Sequence, residues 1–125
     1  MRIRLLTAFF LICAAAAPMA ADARSDAKKQ VEFGIAVAQR GLWREAIYRW
    51  ERAAQIDPKY AEALNNLAIA YEHEGDLEKA RVAYEKALEL EPNNALIKQN
   101  YELFKEINDR TTRKDSQDAP DPDTQ

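Results

Sequence analysis

One histidine, His73, and one cysteine, Cys13, are the side chains of this sequence best suited to nucleophilic, acid–base or metal chemistry. Each stands alone. A single imidazole cannot supply the histidine pair of a zinc site within one chain, and Cys13 lies in an apolar run near the N-terminus, far from His73 in the sequence. Glu72, Glu74 and Asp76 surround His73, a charge pattern expected of a solvated helix end. Trp43 and Trp50 fall on one face of a helix. Core packing accounts for Trp50, while Trp43 is placed to pack on the N-terminal helix or on a partner. The sequence holds no glycine-rich phosphate loop, nucleophile elbow, metal-ligand cluster or dinucleotide fingerprint. The expectation is a protein that is not an enzyme and that uses no cofactor and no metal.

The elements that carry these residues are written twice. At an offset of 34 residues, Gly34 meets Ala68, Gly41 meets Gly75, Ala46 meets Ala80, Trp50 meets Tyr84, Ala53 meets Ala87 and Pro58 meets Pro92. A fixed period of this size marks a repeat array, in which each unit buries its apolar face against the next. Within a unit, apolar residues at helical intervals (Phe33 and Val37, then Ile47, Trp50 and Ala54) are interrupted by Gly41 and by Asp57-Pro58, which gives two helices per unit. Gly34 and Ala46, and then Ala68 and Ala80, let two backbones approach closely, and Trp50 and Tyr84 fill the space beside them. The formal net charge of −3 supplies no broad positive field for a phosphate backbone, so nucleic acid is not an expected partner.

At these positions the sequence resembles the tetratricopeptide repeat family. The family's pattern of large, small, large, then Gly, Ala, aromatic, Ala and Pro is matched by Phe33, Gly34, Val37, Gly41, Ala46, Trp50, Ala53 and Pro58, and again by Leu67, Ala68, Tyr71, Gly75, Ala80, Tyr84, Ala87 and Pro92. The resemblance implies an all-α fold, a short right-handed superhelical array of helix-turn-helix units with about five helices. The expected helices span 26–39, 43–56, 60–73, 77–90 and 94–109, with repeats at 27–60 and 61–94 and a capping helix at 95–109. Gly41 and Gly75 are expected to end first helices in the left-handed conformation, Asp76 to cap the next helix, and Pro58 and Pro92 to sit where a helix begins. In the fifth helix, Glu102 and Lys105 replace the small and large residues that receive a second helix in the earlier units, so this helix is expected to close the array with a solvated face.

Outside the repeats, Arg2 and Arg4 precede an uncharged run from Leu5 to Ala21 and a polar stretch from Asp22. That is the layout of a secretory signal peptide covering residues 1–23, with the cut expected after the Ala21-Asp22-Ala23 triplet and one nearer Ala20 as the alternative. Cys13 leaves with it, since Ile12 before it does not suit a lipoprotein signal. Export to the periplasm follows as the expectation, the alternatives being an inner-membrane anchor or secretion. Residues 110–125 carry no large apolar side chain and are expected to form a disordered polar tail.

The resemblance also implies where function resides, on the concave face lined by the first helix of each unit. The positions carried over are Val31, Ile35, Asn65, Asn66, Ile69, His73, Gln99, Asn100, Leu103 and Ile107, with Lys28, Glu32, Glu62 and Leu96 beside them. Asn65, Asn66, Gln99 and Asn100 can hydrogen-bond a peptide backbone through donor and acceptor groups, and Val31, Ile35, Ile69, Leu103 and Ile107 form an apolar strip left partly wet in a monomer. The cations of the family's two-carboxylate clamp are missing at the matching positions Val31, Ile35, Leu96 and Asn100, and Asn66 alone agrees. The expected function is therefore an exported protein-interaction module (adaptor or scaffold) that holds an apolar or amphipathic partner segment in the bacterial envelope. The alternative is a self-associating structural subunit, or an assembly or pilot factor of an envelope complex.

Overall fold

Two closely related hairpins follow from the two copies of the repeat. The computed structural model describes residues 16–117. These form five α-helices, α1 (Ala16–Ala38), α2 (Trp43–Ile56), α3 (Ala61–His73), α4 (Leu77–Leu90) and α5 (Ala95–Gln117). Helix α1 pairs with α2 and α3 with α4, α2 packs on α3, and α5 lies against α4. Among the described residues there is no strand, and no helix is long and apolar enough to cross a membrane.

The turns inside the two hairpins have the same chemistry. Gly41 and Gly75 adopt φ of 77° and 80°, a region where a Cβ would be strained. At each glycine two bonds close the helix end: Gly41 N–H donates to Ala38 O and Leu42 N–H to Val37 O, as Gly75 N–H does to Glu72 O and Asp76 N–H to Tyr71 O. This is the Schellman arrangement, which satisfies otherwise orphaned carbonyls. Asp76 then caps α4 by accepting from Lys79 N–H at 3.3 Å. Pro58 and Pro92 lie in the turns between hairpins, before α3 and α5 begin, rather than at the first helical position as expected. Their fixed φ suits the second position of those turns, where Tyr60 N–H reaches Asp57 O and Asn94 N–H reaches Glu91 O.

Ala46, Trp50 and Ala53 of α2 are buried, as are their counterparts Ala80, Tyr84 and Ala87 of α4. Phe33 departs from its counterpart: it is 47% exposed, whereas Leu67 is buried. The cause is positional. The α3 face carrying Ala63, Leu67 and Ala70 is covered, but no described helix packs on the equivalent face of α1, which carries Lys29, Phe33 and Ala36. Arg49 lies over the Phe33 ring at 4.2 Å and shields it. At the other end, Ile97 and Phe104 anchor α5, and Phe104 and Tyr101 pack on the ring of Tyr84. Glu102 and Lys105 pair with each other at 2.8 Å on the outer side, as a closing face requires.

Both ends of the array run longer than the sequence suggested. Helix α1 is already formed at Ala16, the first described residue, rather than starting near residue 26, so the expected leader boundary at Ala23 falls inside a helix. The alanines around it favour helix. Helix α5 continues to Gln117, which corrects the expectation that the polar tail is unstructured from residue 110. Arg110 pairs with Glu106, Thr111 Oγ1 donates to Ile107 O, and no glycine or proline intervenes before Pro120. Residues 1–15 of the expected leader, with Cys13, and residues 118–125 of the expected tail lie outside the described residues.

Candidate functional site

The first helices α1, α3 and α5 each present side chains to the same face at 34-residue intervals. Ile35, Ile69 and Leu103 form one row, Glu32, Asn66 and Asn100 a second, and Gln39, His73 and Ile107 a third. Ile35, Asn66 and Ile69 are brought together around a recess of about 330 Å³, completed by Ala38, Gln39, Trp43 and Trp50. A neighbouring hollow of about 290 Å³ is lined by Asn65, Asn66, Tyr60, Glu62, Leu96 and Ile97 among others. Asn66 borders both, so one amide can serve a segment that crosses between them.

Trp50 closes the recess from below. Its Nε1 donates to Val31 O at 3.1 Å, so the indole is fixed by a hydrogen bond as well as by packing. Trp43 forms a side wall and stacks on His73, ring centroids 4.1 Å apart and planes inclined by 22°. The sequence left the neighbour of Trp43 open, and spacing could not supply it, since the two residues belong to different repeats.

Two expected groove residues are almost fully buried. Val31 is 1% exposed and Asn65 4%, so both serve packing. The equivalent residue of α5, Gln99, is exposed. The position is buried in α1 and α3 and open in α5. Asn65 shows how: it is bridged to α5, its Oδ1 accepting from Asn100 Nδ2 at 3.1 Å. Of the remaining expected residues, Leu103 and Ile107 are 55% and 48% exposed on α5 and line neither hollow. His73 is exposed on its side of the Trp43 stack.

A further contact was not foreseen. From the part of α1 next to the assigned leader, Arg24 Nε donates to Asp57 Oδ2 and its Nη2 to Lys59 O at 3.2 Å, while the guanidinium lies over the Tyr60 ring at 4.4 Å. Partial burial alone would push the Asp57 carboxyl up. The Arg24 hydrogen bond, the Lys59 backbone N–H and the neighbouring cations outweigh it and hold the group below the usual carboxylate range. Among the described residues no group of three or more His, Cys, Asp or Glu side chains is placed to hold a metal ion.

The comparisons agree with this architecture. The family model for the tetratricopeptide repeat matches residues 61–94, and one for the TPR repeat matches residues 34–75. The chain is similar to the uncharacterized protein ycf37 of Pyropia yezoensis, 53% identical over 45 residues that make up 36% of this chain and 25% of that one. It is similar to small glutamine-rich tetratricopeptide repeat-containing protein 2 of Mycosarcoma maydis, 31% identical over 84 residues, 67% of this chain and 24% of that protein. It is also similar to the type IV pilus assembly protein PilF of Pseudomonas aeruginosa, 32% identical over 74 residues, 59% of this chain and 29% of that protein. The chain thus spans 24–29% of the length of these relatives.

Proposed function

We propose that this chain, which belongs to the tetratricopeptide repeat family, is an exported adaptor that captures an apolar or amphipathic segment of another protein in the periplasm of a bacterium. The observation that carries this reading is the recess between Ile35 and Ile69, floored by Trp50 and bordered by the Asn66 amide. One bulky apolar side chain of a partner enters the recess, and Asn66 pairs with the partner's backbone. Burying such a side chain contributes about 1.5–3 kcal/mol, enough to make it the anchor of a modest interface. The pilus assembly name of one relative supports a role in building an envelope complex.

Crosslinking in cells from a photoreactive residue at position 69 tests the proposal. Capture of another envelope protein, lost when Asn66→Ala and a neighbouring Ile35→Asp are introduced into a chain with an unchanged circular dichroism spectrum, is the expected result. Undiminished capture in that variant sinks the groove as the binding site.

A second reading rests on Leu103 and Ile107, which are exposed on α5 outside both hollows. Two chains that bury these residues together form a scaffold. A mass that stays monomeric at micromolar and higher concentration, unchanged by Leu103→Asp, excludes this second reading.

A further inference from the structure

Residues 19–22 of α1 are exposed, and Met19 is 76% exposed, so this turn projects from the domain. Ala23 is half-buried, the polar contacts begin with Arg24, which is held by Asp57, Lys59 O and the Tyr60 ring, and Ala27 and Val31 beyond it are buried. The Ala21-Asp22-Ala23 triplet therefore ends where the helix begins to pack. We propose that Arg24 is a latch that makes removal of the leader depend on folding: once α1 docks, the Ala23–Arg24 bond is closed to signal peptidase, so processing precedes docking. The inference rests on the reading of this chain as an exported protein.

The physical reason lies in what hydrolysis requires. Water adds across the Ala23–Arg24 amide, the C–N bond breaks, Ala23 leaves as a carboxylate and Arg24 acquires the new amino group. Peptides bound along a protein groove by their backbone are held extended, with free N–H and C=O groups, whereas in α1 those groups are turned into the helix. Unwinding the exposed residues 19–22 disrupts little packing. Extending the chain through Arg24 also removes the guanidinium from Asp57, from Lys59 O and from the Tyr60 ring. A cut after Ala20 or Ala21 would not need that release, so the latch acts on one bond in particular. After cleavage, the same guanidinium seals the α2–α3 turn of the mature chain.

The test uses the purified, folded full-length chain, incubated with signal peptidase and followed by intact mass. Asp57→Ala leaves residues 21–24 untouched and removes the carboxylate from Arg24, whose contacts with Lys59 O and the Tyr60 ring remain. When opening is fast relative to cleavage, the rate follows the population of the opened state, and loss of this half-exposed ion pair raises that population about threefold. The expected result is slow cutting of the wild-type chain and about threefold faster cutting of Asp57→Ala at Ala23–Arg24, with both circular dichroism spectra alike. Equal rates for the two folded chains, or cutting of the folded wild type upstream of Asp22, overturns the latch. A full-length Ala53→Pro chain, in which α2 is broken, separates this from failure of export itself. If that unfolded chain is also left uncut, the leader is not a substrate and both readings fall.

Discussion

The Nε1 atom of Trp50 lies 2.3 Å from where a Cβ on Gly34 would stand, and the indole fills the space that the glycine leaves open. In the second repeat the same pair is Ala68 and Tyr84, both buried. The larger ring of the first repeat and its smaller partner are thus matched within one chain.

Gly34→Ala forces the indole or the backbone to move. The gain in helix propensity, about 1 kcal/mol, is outweighed by overpacking and by the threatened bond to Val31 O, and we expect a net loss of about 1–2 kcal/mol. Chemical denaturation of Gly34→Ala, Trp50→Phe and the double variant measures it. Because Phe removes the clashing atoms, Gly34→Ala should cost less in the Trp50→Phe background, with a coupling of about 1 kcal/mol. Additive effects would show that the close approach is not the reason for glycine.

Asn65 is the buried polar side chain of the core, and Asn100 is its partner across the α3–α5 boundary. Asn100→Ala leaves the Asn65 Oδ1 without that donor, a defect that costs about 1–3 kcal/mol. The effect should be local to the cap. Hydrogen exchange should quicken in α5 before it does in α1 to α3, since α5 contacts the rest through a smaller set of residues.

The Asp57 carboxyl titrates lower in the folded chain than its ordinary value of 3.8. A depressed folded value means that its contribution is complete above 3.8 and is lost as pH falls from there through the lower folded value. Urea midpoints measured between neutral pH and pH 2 should therefore drop in the acid range, and Asp57→Asn should flatten part of that drop. If the wild type and Asp57→Asn respond to acid identically, the Arg24 contact carries no stability.

Alkali acts through the tyrosines. Burial, then hydrogen bonds to Glu62 and Glu85, push the Tyr60 and Tyr101 phenols up to about 12, and burial with Glu51 and Glu72 raises Tyr71 and Tyr84 as well. The folded value exceeds the unfolded value of 10.0, so these contributions are complete below pH 10 and are lost as pH rises toward the folded values. Stability should fall steeply from pH 10 upward. Tyr101→Phe, which keeps the ring stack on Tyr84 but has no phenol to ionise, should lessen that fall.

The 34-residue period, the two glycines at turns that demand positive φ and the capping Asp76 determined the two hairpins and carried the resemblance to the family, which in turn implied five helices. These are local requirements: a backbone angle or a helical face is set by a residue and its near neighbours. The groove was legible only in part. Ile35 and Val31 are both apolar residues of one helix, yet Ile35 borders the recess and Val31 is core, because burial is decided by how the neighbouring helices pack on each face. The exposure of Gln99 makes the same point, since the position that is covered in α1 and α3 is open in α5. The Arg24–Asp57 clamp, the Trp43–His73 stack and the Asn65–Asn100 bridge each join residues 30 or more positions apart. No periodicity predicts such contacts, because side chains meet across helices according to the packing distance and angle between them, and only the tertiary structure decides those.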